Sequence, residues 1–208
     1  MPSKELTAEE KLIAAGIELA KKYGINGFSV RPLCSKAKVN LGLFHYHFTS
    51  RQNFNKAVLK ELYKELLKGL DMNISADLNP IEKLEIIGNI IGDFTRDNAP
   101  LLLSIIADIL SGNKEMFSFI KSNFTKHILF TISIIEECKK KGLLKNYNSA
   151  SLTFSLIAPA AIPNIAAEAF KRIANKKDYK KVEPFIKRIA SHKLVKERIE
   201  MFLKGSLK

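Results

Sequence analysis

The chain has 208 residues, of which 46% are apolar and 26% are charged. This composition excludes a disordered polymer, and the length suffices for one large or two small globular domains. Cys34 and Cys138 lie far apart and belong to no CxxC pair, which argues against a disulfide framework or a structural zinc site. The formal net charge of +13 indicates a polyanionic partner or a lysine-biased composition, and leaves open which.

The positive charge is concentrated at the two ends of the chain. Residues 1–51 hold 8 Lys/Arg and 4 Asp/Glu, residues 52–170 hold 13 of each kind, and residues 171–208 hold 13 Lys/Arg and 4 Asp/Glu. The middle of the chain is therefore electrically neutral. The basic C-terminal segment indicates a lysine-biased, solvated surface, and a surface that holds acidic lipid or DNA is the alternative.

The sequence predicts neither a secreted protein nor an enzyme. Met1 is followed by Pro, Ser, Lys and Glu rather than by an apolar run, and the longest apolar candidate, residues 99–110, is too short to span a bilayer. We therefore expect a cytoplasmic protein without stable membrane insertion. A glycine-rich phosphate loop, a nucleophile elbow and an HExxH motif are all missing from the sequence, so no cofactor, metal or catalytic residue is predicted.

Helical periodicity dominates the chain and predicts an all-α fold. Thr7 and Glu10 form a capping-box pattern at the start of the first helix, and Ser29, Asn40 and Ser50 are expected to cap the next three. The predicted helices cover about 7–23, 30–37, 41–47, 51 to 69–71, 80–96, 100–112, 114–141, 148–173 and 194–203. Prolines 159 and 163 predict a kink, and residues 174–192 are left open between a loop and a short helix.

The second and third helices are joined by so tight a turn that they predict a helix-turn-helix unit. Leu33 and Ala37 are expected to pack against Phe44 and Phe48, with Val39 filling the turn between the helices. That packing leaves the other face of the third helix outside. An exposed helix of this width fits the major groove of DNA, where the base edges carry a sequence code.

The run from Thr7 to Phe54 resembles the DNA-binding domain of TetR/AcrR-family repressors. The matching segments are Phe28-Ser29-Val30-Arg31, Leu33-Cys34, the run from Val39 to Phe48, and Ser50-Arg51. They follow the family pattern T-V-x-x-I-A-x-x-A-G-V-S-x-G-T-L-Y-x-H-F-x-S-K in order and spacing without a gap. The resemblance implies a three-helix DNA-binding domain over residues 1–51 and a helical ligand-sensing and dimerisation domain over residues 52–208.

The chain departs from that family pattern at four positions. Lys38 replaces the glycine of the turn, so a residue with a side chain is expected at positive φ. Leu43 stands where the family commonly has Thr or Ser, and His45 stands where it has Tyr. Both replacements remove a hydroxyl, and Leu43 thereby loses a phosphate contact that is common in the family. Arg51 replaces a lysine and keeps its charge.

The resemblance also implies which residues bind DNA. Ser29 and Arg31 would lie near phosphate at the start of the second helix, and Arg51 would add charge at the start of the fourth. The recognition segment would comprise Asn40, Leu41, Gly42, Leu43, His45, Tyr46 and His47, with its two histidines and its tyrosine as the polar contacts. The residues themselves leave alternatives open: His47 packing beneath the first helix, a buried Tyr46, or metal binding by the two histidines.

For the rest of the chain the resemblance implies about six helices around a ligand cavity. Residues 99–110 are apolar almost all round, which predicts a central helix. The expected effector contacts are Phe94, Leu102, Ile105, Ile106, Asp108, Ile109, Phe117, Phe124, His127, Phe130, Phe154 and Ala158. Asp108 and His127 are the candidates for orienting a hydrophobic or amphipathic small molecule, and plain core packing is the alternative for every member of the set.

A DNA-binding unit of two short helices gains affinity when a dimer binds two half-sites about 34–36 Å apart. We therefore expect a homodimer on a palindromic operator in double-stranded DNA, released when a small-molecule effector shifts the fourth helix. The resemblance implies a four-helix bundle as the dimer interface, built from residues 148–173 and 193–206. The rival interpretations are a basic DNA-binding protein without ligand control and a helical membrane-surface protein.

Overall fold

The computed structural model of the chain describes residues 6–208, and the expectation about a signal peptide falls on residues 1–5, outside that range. Over the described residues the chain forms eleven helices, which confirms the all-α class. They are α1 (Ala8–Tyr23), α2 (Val30–Ala37), α3 (Leu41–Phe48), α4 (Arg51–Asn73), α5 (Pro80–Asp97), α6 (Ala99–Leu110), α7 (Lys114–Asn123), α8 (Lys126–Lys140), α9 (Ser149–Ile173), α10 (Lys176–Ile189) and α11 (His192–Ser206).

The N-terminal helices begin where their capping residues predict. The Glu10 backbone N–H donates to Thr7 Oγ1 at 3.2 Å and the Thr7 N–H donates to Glu10 Oε2 at 2.8 Å, which completes the capping box of α1. Asn40 Oδ1 accepts from the N–H of residue 43 at 2.8 Å, and Ser50 Oγ accepts from that of residue 53 at 3.1 Å. Ser29 occupies the cap position of α2, but its hydroxyl makes no capping hydrogen bond.

The prediction of one long helix over residues 114–141 is wrong, because the chain breaks between α7 and α8. Thr125 lies at the break, and its carbonyl accepts from the N–H groups of Ile128 and Leu129 at 3.1 and 3.0 Å as α8 starts. The run Ser-Asn-Phe-Thr before α8 holds four residues of modest helix propensity, and the side chains of Ser, Asn and Thr can compete for backbone hydrogen bonds. The open question about residues 174–192 is settled as a helix, α10.

The prediction that α6 is the central helix is also wrong. Ala99, Leu101 and Ile105 are buried, whereas Leu110 exposes 81% of its surface and Ile106 exposes 38%. Apolar composition all round a helix does not establish burial, because much of the surface of a folded protein is contributed by apolar atoms. The helix also begins at Ala99, one residue before the proline that was expected to open it.

The described residues divide into two compact units, each with its own core. The first comprises the chain up to Glu65 together with Pro100–Phe119, and the second comprises Leu66–Ala99 together with Ile120–Lys208. The predicted boundary at residue 51 falls at the start of α4, a helix that runs on through the end of the first unit. That boundary stays a prediction about function, since compact units need not coincide with functional domains.

In the first unit, α1 and α4 approach each other closely at Gly16. A methyl group added at Gly16 would lie 2.5 Å from Phe54 Cζ and 2.9 Å from Val58 Cγ2, so only glycine fits there without movement of the neighbouring side chains. The same unit includes α6, because the Ile25 backbone N–H donates to Ser104 Oγ at 2.9 Å. These contacts set the position of the helices that follow α1.

In the second unit, α5 lies against α8, α9 and α11. The core it shares with them is apolar and consists of Leu70, Leu84, Ile87, Ile91, Ile134, Ile135, Cys138, Leu144, Leu152, Leu156, Ala160, Val195, Ile199 and Leu203. One buried polar group crosses this core. Asn164 Nδ2 on α9 lies 2.9 Å from the Gly92 carbonyl oxygen and 2.9 Å from Thr95 Oγ1, both on α5. Burial of an amide is tolerated where it is hydrogen bonded, so this contact fixes the register of α9 on α5.

The helix α9 continues through both of its prolines. Pro163 has no N–H to donate to the carbonyl of Pro159, four residues earlier, and Arg198 Nε of α11 donates to that carbonyl at 2.8 Å instead. Arg198 Nη2 also donates to the carbonyl of Ile189 at the end of α10, at 3.0 Å. Burial lowers the pKa of the Arg198 guanidinium. One arginine therefore joins α9, α10 and α11.

By length and composition α9 would pass as a membrane-spanning helix, which the sequence did not predict. Its buried face carries Thr153 and Asn164, whose hydrogen bonds stay within the second unit. Core helices of soluble proteins commonly pass the same test, so the test does not assign α9 to a membrane.

A pair of glycine substitutions tests the packing at Gly16. We expect Gly16→Ala to lower the free energy of unfolding by about 1–3 kcal/mol, because the added methyl overpacks the contact with Phe54 and Val58. Gly69→Ala is the matched control on α4. Its methyl would meet only Ile90 Cγ2, at 3.9 Å, so the better helix propensity of alanine should raise the stability by up to about 1 kcal/mol. Urea unfolding followed by circular dichroism measures both, and a Gly16→Ala protein as stable as the parent contradicts the packing described.

Candidate DNA-binding site

The turn between α2 and α3 has the geometry that the sequence predicts. Lys38 lies in the left-handed region at φ 55° and ψ 42°, which confirms the expected positive φ at the position of the turn glycine. The N–H of Lys38 donates to the Ser35 carbonyl at 3.2 Å and that of Val39 donates to the Cys34 carbonyl at 3.0 Å. These two bonds close α2 with a left-handed turn that redirects the chain into α3.

A cluster of three phenylalanines supports α3 from beneath. The ring centroids of Phe44 and Phe48 lie 5.6 Å apart, and Phe54 of α4 lies 5.4 Å from the first ring and 5.0 Å from the second. All three side chains are buried, as are Leu33 and Ala37 of α2. Aromatic rings at these separations pack with specific mutual angles, so the cluster fixes both the position and the rotation of α3.

The opposite face of α3 is open to solvent. Tyr46 exposes 80% of its surface, which excludes the alternative that this tyrosine is buried. Leu41, Leu43 and His45 are also exposed, and so are Asn40 and Gly42 at the start of the helix. The structure thus brings together six of the seven predicted residues of the recognition segment on a single accessible surface.

The seventh residue, His47, lies to one side of that surface. It is half-buried, and its Nδ1 lies 3.8 Å from Glu9 Oε2 of α1. Packing beneath the first helix, one of the roles that the sequence left open, describes this placement better than projection toward DNA. His47 connects α3 to Glu9 of α1, and its ring lies 5.1 Å from that of Tyr46, so the histidine is positioned to orient the recognition helix.

Arg51 was expected to offer its charge to phosphate, but the structure places its head group half-buried against the loop after α1. Its Nη2 donates to the Ile25 carbonyl at 2.8 Å, and the guanidinium carbon lies 4.1 Å from the centre of the Phe28 ring. Burial lowers the pKa of this guanidinium. Arg51 joins the loop after α1 to the start of α4. Nothing in its sequence position distinguishes that internal role from a phosphate contact.

The charges that remain available lie around α2. Ser29 and Arg31 are exposed at the start of that helix, and Lys38 is exposed at its end. Lys36 forms an ion pair with Glu18 at 2.6 Å, so part of its charge is neutralised. The helix α3 itself holds neither Lys nor Arg, and it offers aliphatic, aromatic and imidazole groups instead.

The residues predicted to contact an effector are divided equally between the two compact units. In the first unit, Asp108 Oδ2 accepts from Asn113 Nδ2 at 2.8 Å, a contact that stabilises the end of α6. In the second unit, Phe94 and His127 are half-buried, and burial lowers the pKa of the histidine. Phe154 exposes 68% of its surface on α9. The full predicted set is Leu102, Ile105, Ile106, Asp108, Ile109 and Phe117 in the first unit and Phe94, Phe124, His127, Phe130, Phe154 and Ala158 in the second.

The sequence did not predict an apolar groove between α9 and α10, which lies within the second unit. It has a volume of about 410 Å³ and is lined by Pro163, Ala166, Ala167, Phe170, Val182, Phe185, Ile186 and Ile189. The α9 side is visible in the sequence as a run of small residues. The four apolar residues on the α10 side follow the spacing of an amphipathic helix. That pattern is hard to recognise in the sequence because many lysines surround it.

Comparison with known proteins agrees with the geometry of helices α1 to α3 and the start of α4, which together are called the reading head below. Residues 12–58 match the family model of bacterial regulatory proteins of the tetR family. The HTH-type transcriptional repressor DhaR from Mycobacterium sp. (strain GP1) is 27% identical over 104 residues, which are 44% of this chain and 52% of that protein. The chain thus spans about half the length of this curated relative.

Solved structures resemble the whole fold. A putative transcriptional regulator from Saccharomonospora viridis in complex with choline gives a TM-score of 0.78 at 14% identity, covering 97% of this chain and 98% of that one. The transcriptional regulator FadR from Bacillus subtilis in complex with stearoyl-CoA gives a TM-score of 0.71 at 12% identity, covering 94% of this chain and 97% of that one.

The match to the family model falls on residues 12–58, which build the exposed α3 and its support. The solved structures extend the likeness in fold to the remaining helices. Residues 12–58 are thus similar to bacterial regulatory proteins of the tetR family, and the rest of the chain shares the fold of the solved regulators.

Proposed function

We propose that this chain is a cytoplasmic repressor that binds a palindromic operator in double-stranded DNA as a homodimer, and that a small, hydrophobic effector releases it. The observation that carries the proposal is the two-sided character of α3. Its inner face is held by Phe44 and Phe48, while Tyr46 on its outer face is almost fully exposed. A helix whose inner face is packed against the protein and whose outer face is exposed can enter the major groove without rearrangement.

The exposed residues divide into two kinds of DNA contact. Tyr46 and His45 project from α3 and are positioned to meet base edges, with Leu41 and Leu43 beside them as partners for thymine methyl groups. Ser29 and Arg31 at the start of α2 are positioned to meet phosphate. The exposed N-terminus of α3, at Asn40 and Gly42, adds the helix dipole to that set. We assign His47 and Arg51 to holding the reading head in place.

The effector is proposed to bind among half-buried side chains of the second unit. Phe94, Phe124 and His127 are the candidates, since their surfaces are neither in the core nor fully in water. The choline and stearoyl-CoA complexes of the two similar structures support ligand binding by this fold. Because release requires the effector to prefer one state of the protein, operator DNA and effector must weaken each other's binding by the same factor.

Two-fold symmetry is proposed because a single short recognition helix reads too few bases for a specific operator. The interface would use α9, whose outward face carries exposed Phe154 and Ile162. The outward face of α11, by contrast, carries Lys193, Lys196 and Glu197, and is suited to the polar rim of an interface.

One observation favours a second candidate function. None of the residues of α10 is buried, although the helix carries an apolar face and lies in a segment with 13 Lys/Arg and 4 Asp/Glu. A basic amphipathic helix of this kind is also typical of proteins that lie on an acidic membrane surface. Vesicles of acidic phospholipid that compete with operator DNA for the protein would support this function in addition to gene regulation.

The repressor is tested by gel-shift titration of the protein against the DNA upstream of its own coding sequence, at several salt concentrations. A sharp complex with a two-fold footprint supports the proposal, because two α3 helices then contact symmetric half-sites. Binding that falls steeply with salt and shows no sequence preference would instead indicate a basic DNA-binding protein without a specific operator.

Tyr46→Ala tests the reading surface. We expect it to weaken operator binding about 10-fold while leaving binding to unrelated DNA unchanged, because a base-edge contact contributes only to the specific complex. Tyr147→Ala is the matched control, since Tyr147 is also exposed but lies in the turn before α9. Fluorescence anisotropy with operator and unrelated duplexes measures both variants. Equal losses for Tyr46→Ala and Tyr147→Ala would contradict the assignment of α3.

Arg31→Gln tests the phosphate contact. It should weaken binding to operator and to unrelated DNA by similar factors, and it should reduce the slope of log affinity against log salt by about 1 for each phosphate that the arginine neutralises in the parent. Lys140→Gln, which removes an exposed charge at the end of α8, should leave the slope unchanged. A salt slope that is the same in the parent and in Arg31→Gln would show that Arg31 does not reach phosphate.

A further inference from the structure

The groove between α9 and α10 is lined by apolar side chains that do not fill it. On α9 the lining includes the small residues Ala166 and Ala167, and on α10 it includes the large residues Phe185 and Ile186. Phe185 remains exposed although it lines the groove. The volume of about 410 Å³ lies in the range of about 300–1,000 Å³ that is typical of small-molecule sites. The groove therefore has the size and the lining to hold an apolar chain.

One end of the groove is next to the guanidinium of Arg198. Ile189 lines the groove, and its carbonyl accepts from Arg198 Nη2 at 3.0 Å. Pro163 also lines the groove, and Arg198 Nε donates at 2.8 Å to the carbonyl of Pro159, one turn earlier on α9. A cation therefore lies where the apolar walls of the groove end.

The charge of Arg198 is not paired with a carboxylate within residues 6–208. Both of its acceptors are neutral carbonyls, and neither N–H of its Nη1 has an acceptor in that part of the chain. The side chain is half-buried, and a partly desolvated guanidinium gains more from an anion than one in water does. A carboxylate also matches its geometry, because the two groups can form two parallel hydrogen bonds. An anionic group at this end of the groove would supply the missing partner.

The opposite end of the groove suits the apolar tail of a ligand better than its charge. Ala166 and Phe170 also line a second recess, which continues the apolar surface to Ile173. Among the described residues, Asp178 is the charged member of that lining, and its carboxylate disfavours an anion there. The two ends therefore set a direction, with the negative group at Arg198 and the chain extending toward Phe170.

We propose that the α9–α10 groove binds a free amphiphile with one alkyl chain and a carboxylate head group, such as a medium-chain fatty acid. The carboxylate pairs with Arg198, and the chain lies between α9 and α10 in the direction of Phe170. The lining of the groove includes none of the residues proposed to contact the effector, and it includes neither Phe154 nor Ile162 of the proposed dimer interface. This site is therefore additional to the proposed function and does not depend on it.

Calorimetric titration of the full-length protein with decanoate, below its micelle concentration, measures the site. We expect saturable binding of decanoate. Octanoate should bind roughly 15-fold more weakly, because each buried methylene strengthens binding about fourfold. The uncharged 1-decanol has the same chain length and should bind at least about 10-fold more weakly than decanoate, because it lacks the charge-assisted hydrogen bonds to Arg198. Equal affinity of the parent protein for decanoate and 1-decanol would overturn the proposal.

Substitution of Arg198 tests the head-group contact through the ratio of the two affinities, decanoate over 1-decanol. Arg198→Gln should reduce this ratio to about 1, and Arg198→Lys should retain most of it, because lysine keeps the charge. The ratio separates the head-group contact from a loosening of α10, which would weaken both ligands by the same factor. A ratio in Arg198→Gln as high as in the parent would show that the carboxylate does not bind at Arg198.

A substitution that fills the groove tests where the chain lies. Ala167→Leu places three further carbon atoms in the groove and should weaken decanoate binding at least about 10-fold, since the ligand loses buried apolar contact. Ala150→Leu is the matched control, at an exposed position in the first turn of α9 and outside the lining of the groove. Decanoate that binds equally well to the two variants occupies another part of the protein, and the groove is then not its site.

Vesicles of phosphatidylglycerol distinguish a free amphiphile from a bilayer. Decanoate binding by the parent protein without vesicles supports the free ligand. Vesicle binding that Ala167→Leu abolishes, in a parent protein that does not bind monomeric decanoate, would show that the groove receives a bilayer and would overturn the proposal. None of these measurements includes DNA. Failure of the decanoate titrations therefore leaves the proposed repressor intact, and failure of the gel shift leaves this site intact.

Discussion

The reading head depends on one packing constraint, the contact of three phenylalanine rings beneath α3. Phe44 and Phe48 point down from the recognition helix, and Phe54 rises from α4 to meet them. Gly16 is part of the same constraint, since only the absence of a side chain on α1 lets Phe54 occupy its place. A helix of eight residues is too short to hold its shape alone, so its stability comes from these rings rather than from its own hydrogen bonds.

In the second unit, tight packing is combined with a restriction on the register of the helices. The α5–α9 contact combines apolar packing with one buried amide, that of Asn164. Such a group has few satisfactory positions, so the two helices have few registers available to them. A ligand that binds this unit, as proposed above, would therefore select between discrete arrangements instead of bending the helices gradually. That property suits a sensor whose two states must differ at a distance.

The DNA-binding helices could be predicted closely because local signals define them. The capping box at Thr7, the cap at Asn40 and the turn at Lys38 are each decided within a few residues, and the aromatic spacing on α3 follows from helix geometry. The interior role of Arg51 could not be predicted, since it depends on a carbonyl 26 residues away. The exposure of α6 was missed for a related reason: composition shows that a helix is apolar, whereas its burial depends on which distant parts of the chain pack against it.

The bond between Arg198 and the carbonyl of Pro159 makes two distant positions in the chain interdependent. Pro163 leaves that carbonyl without its helical donor, and Arg198 supplies one from a helix 35 residues further on. Without Pro163 the carbonyl has its ordinary helical donor, and without Arg198 the carbonyl has no donor from α11. Substitution at either position therefore changes which residues are tolerated at the other. Related chains are expected to gain or lose the proline and the arginine as a pair. An alanine at position 163 would free the arginine for a different partner.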